Sequence, residues 1–283
     1  MRLDHGIGWS LNGFDLSGTD PAGVRWLVKD VEGWDDPAGA VGGVVQKDYA
    51  DGGWLEPTLL APPSLVAKVR LLAPTRESSI RARDEFKSII PVRLLAPLVL
   101  SDGGLVRHRR VKQEGKPSIK QASDHLVEMS VQLVSPDVRI FSGDGTAPFT
   151  YSASTGLPDT AGGWQLPAQA PLQVAAAVSS GSVVVSNAGD AVPPVKVRIK
   201  GPVTNPSITA NDGGRMNFAL TLSSGQTLEV DLDRRTVKLN GVNRRNTLSG
   251  PWIIPQTGTE LKFNASTYNT TARMTVQWSD AWR

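Results

Sequence analysis

The stretch Val195–Ile208, VKVRIKGPVTNPSI, restricts this chain more than any other. Val195, Val197 and Ile199 alternate with Lys196, Arg198 and Lys200, and a period of two belongs to a strand with one dry face and one wet, cationic face. Gly201-Pro202 then stops the strand, and Asn205-Pro206 opens a second turn before Ile208. Strand, stop and turn all fall within fourteen residues.

The same punctuation runs through the rest of the sequence. With 28 Gly and 20 Pro breaking short runs rich in Val and Thr, the composition reads as mostly β. A length of 283 residues exceeds the usual single core, so two domains are expected, with one large β domain as the competitor. Cysteine is absent, which removes disulfides and thiolate chemistry. The opening MRLDHGIGWS has charged residues where a signal peptide needs an apolar core, and no uncharged apolar run is long enough to span a bilayer. The expectation is a soluble chain made in the cytosol.

The net charge of +3 is small, but its distribution is uneven. Residues 1–60 hold 4 Lys/Arg against 10 Asp/Glu, and residues 61–120 hold 13 against 5. The first half is therefore electrically lopsided. Trp9, Trp26, Trp34 and Trp54 recur in the acidic part, as plugs of small sheets or as anchors for a neighbouring subunit. Val24–Val28 and Gly43–Lys47 are short strand candidates there.

Downstream, Leu65–Leu72 reads as a strand and Arg76–Ile90 as a helix, capped by Thr75, ended by Pro91 and striped by Ile80, Ala82, Phe86 and Ile89. Leu94–Leu100 and Leu105–Lys112 form a hairpin across Ser101-Asp102-Gly103-Gly104. Its second strand carries Arg107, Arg109, Arg110 and Lys112, the densest positive run, which is either a solvated strand end or a surface for a partner or nucleic acid. His125–Val134 alternates cleanly, and Val138–Phe141 is one more short strand.

Residues 142–171 are rich in Gly, Pro, Ser, Thr and Ala, marking the domain join. The expected division is a β-rich first domain over residues 1–157, a linker over 158–171 and a second domain over 172–283. Eight strand candidates follow: Gln173–Val178, Ser182–Asn187, Val195–Lys200, Arg215–Leu222, Thr227–Leu232, Arg235–Asn240, Thr259–Phe263 and Arg273–Trp278. Their spacing suits a sandwich or jelly roll. Charge pairing is expected where Glu229 and Asp231 face the strand bearing Lys238.

Catalytic patterns are missing. His5, His108 and His125 share no turn with one another, and no P-loop, G-x-S-x-G or G-x-G-x-x-G occurs. A glycosidase needs only two carboxylates, but the acidic residues sit mostly in turns or on outward strand faces. The chain reads as a non-enzyme without cofactor or metal.

Four segments together carry a family likeness: VEMSVQLVSPDVRIFSG (Val127–Gly143), SNAGDAVPPVKVRIKGPVTNPSI (Ser186–Ile208), TLEVDLDRRTVKLNG (Thr227–Gly241) and the end SGPWIIPQTGTELKFNAS followed by ARMTVQW. With them the chain resembles the distal tail proteins of long, flexible-tailed bacteriophages, the phage tail or minor tail protein family. The resemblance implies a virion protein at the tail tip or baseplate, made in the host bacterial cytoplasm and active in host attachment. It implies an α+β ring-forming N-terminal domain with one helix, and a C-terminal galectin-like jelly roll. Its copies would form a homohexameric ring joining the tail-tube protein, the tape-measure protein C-terminus and the tail-tip or receptor-binding proteins, with a channel for DNA in transit and no membrane insertion.

On that reading Arg107, Arg109, Arg110 and Lys112 meet the acidic N-terminal stretch of a neighbour or line the channel, and Trp164, Trp252 and Trp282 are candidate partner-contact aromatics. Sugar-binding galectins use a histidine, which the C-terminal half lacks. A monomeric two-domain carbohydrate-binding adhesion module is the alternative, and a β-sandwich hydrolase the third reading.

Overall fold

Nine residues set the frame of the first unit. In the strand Ser64–Leu72, Leu65, Ala67, Val69 and Leu71 are buried while Lys68 and Arg70 stand on the other face, the alternation a half-buried strand demands. The computed structural model describes residues 7–158, 181–267 and 269–283. His5, Trp164, the strand candidate Gln173–Val178 and nearly all of the expected linker lie outside the described residues.

Ser64–Leu72 pairs antiparallel along its whole length with Leu126–Val134, from Leu126↔Leu72 to Val134↔Ser64. On its other side runs Arg25–Glu32, with a register shift at Lys29 between Val28 and Asp30. Across the first unit the strands follow the order Phe14–Asp15, Gly8–Leu11, Ala96–Asp102, Leu105–Gln113, Leu126–Val134, Ser64–Leu72, Arg25–Glu32. Ser118–Gln121 lies beside the first half of Leu126–Val134. The hairpin between Ala96–Asp102 and Leu105–Gln113 turns on Gly103 and Gly104 with φ of 54° and 84°, a conformation that side chains resist.

The helix spans Arg76–Ile89. Thr75 Oγ1 accepts from the Ser78 N–H at 3.1 Å and Ser78 Oγ accepts from the Thr75 N–H at 3.1 Å, so the capping is reciprocal. Its buried positions are Ser79, Ala82 and Phe86, and Phe86 stacks on Trp26 with ring centroids 6.3 Å apart. Ile80 does not join the expected stripe and is exposed. Residues 79, 82 and 86 share a face at 3.6 residues per turn, whereas Ile80 is rotated off it.

By its contacts the chain divides into Met1–Pro148 with Arg283, and Phe149–Trp282. This lies upstream of the join that composition suggests, because Tyr151–Thr155 pairs residue for residue with Arg273–Trp278, from Tyr151↔Trp278 to Thr155↔Met274. Low-complexity composition marks where turns concentrate, not which sheet recruits a short polar strand.

The second unit is a two-sheet sandwich. One sheet runs Tyr151–Thr155, Arg273–Trp278, Val195–Lys200, Thr227–Asp231, Thr236–Leu239, Val242–Asn243; the other runs Ser182–Val185, Thr259–Asn264, Ser207–Ala210, Arg215–Phe218, Leu248–Ser249. Val197, Ile199, Ile208, Met216, Phe218, Leu228, Val230, Phe263, Met274 and Val276 form one buried cluster between them, as aligned sheet packing requires. The fold is mostly β with one α-helix among the described residues, as the sequence indicates. Gly201 is needed where the chain leaves Val195–Lys200: an added Cβ would lie 2.6 Å from Ser223 O and 2.7 Å from Leu222 Cβ. Glu229 stands opposite Lys238 as expected, but its ion pair goes to Arg198 on the other neighbouring strand at 3.0 Å. No helix among the described residues is long and apolar enough to cross a membrane.

Candidate assembly surfaces

The positive run on Leu105–Gln113 does not form one patch, because alternation sends its residues to opposite faces. Arg109 shares its face with Val111 and, across the hairpin, with Leu98, and only 2% of it is exposed. Its Nη1 donates to Val138 O and its Nη2 to Trp34 O, each at 3.2 Å, and the guanidinium lies over the Trp34 ring, 5.7 Å from its centroid. Burial lowers its pKa from the ordinary guanidinium value, with Asp137 and Asp35 acting in the opposite sense. Arg109 is therefore a core residue, and the expectation of a ring-interface or channel role is corrected for it. Arg107 is half-buried, and Arg110 and Lys112 are exposed.

Between Arg109 and its neighbours, His108 is buried too. Its Nδ1–H donates to Gly143 O at 2.9 Å, and burial, reinforced by Arg110, lowers its pKa despite the opposing influence of Gly143 O and Asp144. The neutral ring with a protonated Nδ1 is the form this site holds. The tryptophans of the acidic stretch divide as well. Trp26 and Trp34 are core plugs, Trp9 packs edge-on against Trp34 at 5.0 Å, and Trp54 is 68% exposed.

Trp54 belongs to a feature the sequence only hints at. Beyond the rung Glu32↔Val66 the two strands Arg25–Glu32 and Ser64–Leu72 give way to a ribbon, Ala40–Val41 paired with Leu59–Leu60 and Val44–Gln46 paired with Gly53–Leu55. Backbone bonds from Ala61 N to Gly39 O and from Glu56 N to Gly43 O tie its rungs. Val41, Val44, Val45, Leu55 and Leu59 are all more than half exposed. Side chains on both faces of this arm are thus uncovered, although a two-stranded ribbon without a packed face is at best marginal in water. Its charged side chains are Asp48, Asp51 and Glu56 against Lys47, whose ammonium sits 4.9 Å from the Trp54 ring centroid.

The outward face of the main sheet carries the opposite charge. A cavity of about 220 Å³ opens there, lined by Lys29, Lys68, Arg70 and Lys120, the hydroxyls of Ser118 and Ser130, and Glu128. Register explains the convergence: Arg70↔Glu128↔Lys120 and Lys68↔Ser130↔Ser118 are two successive rungs on one face, i and i+2 along each strand. Arg70 donates twice to Glu128 Oε1, from Nε at 2.9 Å and Nη2 at 2.6 Å, and Lys68 pairs with Glu32. Lys29, placed at the register shift, and Lys120 make no ion pair among the described residues, so the groove keeps a positive excess. Single-sequence reading misses it because its four cations come from three strands that are far apart in sequence.

In the sandwich, Trp252 is half-buried and packs against the core cluster, with the Arg245 guanidinium 4.8 Å over its ring. Trp282 is half-buried in the short strand Ala281–Trp282. Asn187 fixes that strand by accepting from the Ala281 N–H at 3.0 Å and donating to Ala191 O at 2.7 Å. The two tryptophans are therefore partly absorbed by packing. Among the described residues no group of His, Cys, Asp and Glu is arranged to hold a metal ion.

Fold and surfaces thus define a two-unit β protein with a sandwich at its C-terminal end and its conspicuous features on contact surfaces. Residues 188–282 match the family model of the siphovirus-type tail component, C-terminal domain. No curated protein matches the sequence. Among solved structures, the Dit protein (gp 19.1) of phage SPP1, described as a paradigm of the hub adsorption apparatus in phages infecting Gram-positive bacteria, aligns over 98% of this chain and 99% of its own with a TM-score of 0.65 at 16% identity. At that identity the match establishes a shared fold. Chains of the phage P2 baseplate in its activated conformation, with calcium and with strontium, align over 95% of this chain and 97% of their own, each with a TM-score of 0.48 at 9% identity.

Proposed function

We propose that this chain is a structural hub protein at the distal end of a siphophage tail. Its copies close into a ring, six by analogy with the family, that joins the tail tube to the tape-measure end and the tail-tip or receptor-binding proteins around a channel for DNA. The observation that carries this reading is joint: a match to the siphovirus-type tail-component model over residues 188–282, within a chain that shares the SPP1 Dit fold from end to end. The uncovered apolar arm supports it, since side chains left wet in one copy are what an assembly protein has to offer. The role is non-enzymatic, and the residues contribute shape, charge and packing.

Mass measurement of the purified protein, with electron images of the virion, tests the proposal. A ring of about six chains, each of 30.2 kDa, located at the tail tip is the expected result. A chain that stays monomeric and is missing from the tail tip would refute it; a monomer that also binds cell-wall sugars would favour the adhesion module instead.

A further inference from the structure

We infer that the acidic arm of one copy docks across the basic groove of the next, setting Asp48, Asp51 and Glu56 against Lys29 and Lys120. This inference rests on the ring reading and adds to it a donor surface and an acceptor surface on each subunit. Three observations point the same way. The arm carries three carboxylates against one ammonium, all three exposed and without an ion pair among the described residues. The groove holds two cations, Lys29 and Lys120, that its own carboxylates do not neutralise, beside hydroxyls that can donate to a carboxylate oxygen. Apolar surface also matches: Leu72, 48% exposed, lies two residues from Arg70 on the groove's face, and the arm brings Trp54 and Leu55.

Arm and groove occupy different lengths of one ribbon, the arm beyond the rung Glu32↔Val66 and the groove on the rungs that involve Lys68 and Arg70. Two distinct complementary surfaces on one chain give a head-to-tail contact, and such a contact closes into a ring or runs on as a filament. Opposite charge at its centre fixes the register and speeds encounter. Arg110 and Lys112, which sequence alone nominates for this role, stand outside the groove lining.

The test uses the full chain with reversed charges. In one variant Lys29→Glu and Lys120→Glu make the groove acidic; in the other Asp48→Lys and Asp51→Lys make the arm basic. All four residues are exposed, so each variant should keep the wild-type melting temperature. Light scattering against concentration should show each variant dissociating at a concentration about tenfold or more above wild type. Mixed in equal amounts, the two should reassemble, since every acidic arm then finds a basic groove and every basic arm an acidic one. Reversed variants that assemble as wild type does would overturn the docking while leaving the ring intact, as would two monomeric variants whose mixture fails to reassemble. A wild-type chain that never self-associates would sink the ring and the docking together.

Discussion

Replacing Arg109 with alanine should unfold the first unit far more readily than replacing Arg110, one residue along the same strand. Arg109 donates two hydrogen bonds to carbonyl oxygens, each at 3.2 Å, and is almost wholly buried. Hydrogen bonds from a charged donor contribute about 1.5–3 kcal/mol each, and at this length the lower value applies, so the pair supplies about 3 kcal/mol. Truncation also leaves Trp34 O and Val138 O without their donor, removes the guanidinium from the Trp34 ring and opens a cavity. Against these losses stands relief of the desolvation that lowers the arginine's pKa. A net destabilisation of about 3–4 kcal/mol remains, while Arg110→Ala, at an exposed position, should stay within about 0.5 kcal/mol. Urea unfolding of the full chain, followed through tryptophan fluorescence, measures both. Equal midpoints for the two variants would refute the assignment of Arg109 to the core.

Two further predictions concern the same unit. His108 has a folded-state pKa lowered below its ordinary value, so the unfolded chain takes up its proton first; its contribution is intact above about pH 6.5 and is lost as pH falls through and below that value. The loss should disappear in His108→Gln, as unfolding curves between pH 7.5 and 5 would record. On the helix, Phe86→Ala should cost about 3–5 kcal/mol because Phe86 is fully buried against Trp26, whereas Ile80→Ala should cost about 1 kcal/mol or less; similar losses at both positions would contradict the helix orientation, and thermal melts distinguish the cases.

The strands that sequence reveals best are those whose alternation is complete. Val195–Lys200 and Arg273–Trp278 occupy the very ranges their patterns indicate, and Thr75 caps the helix as its side chain allows. Tyr151–Thr155 and Ser207–Ala210 escape notice because short runs of Ser, Thr and Ala become strands only when a long neighbour supplies the ladder. Arg109 escapes for a related reason. Nothing in Arg107-His108-Arg109-Arg110 distinguishes the residue that meets two carbonyls distant in sequence, Trp34 O and Val138 O, from those that meet solvent. The arm shows the converse limit. Val44-Val45 and Trp54-Leu55 look like core, and whether a second sheet covers them depends on the rest of the fold.

The pairing of Tyr151–Thr155 with Arg273–Trp278 brings the strand that enters the sandwich beside one of the last strands before the chain leaves it. A module whose doorway and exit adjoin can be replaced, enlarged or dropped as a cassette without rethreading what precedes it. If the chain serves as the proposed hub, that wiring lets the sandwich diverge while the first unit keeps its own strand pairing.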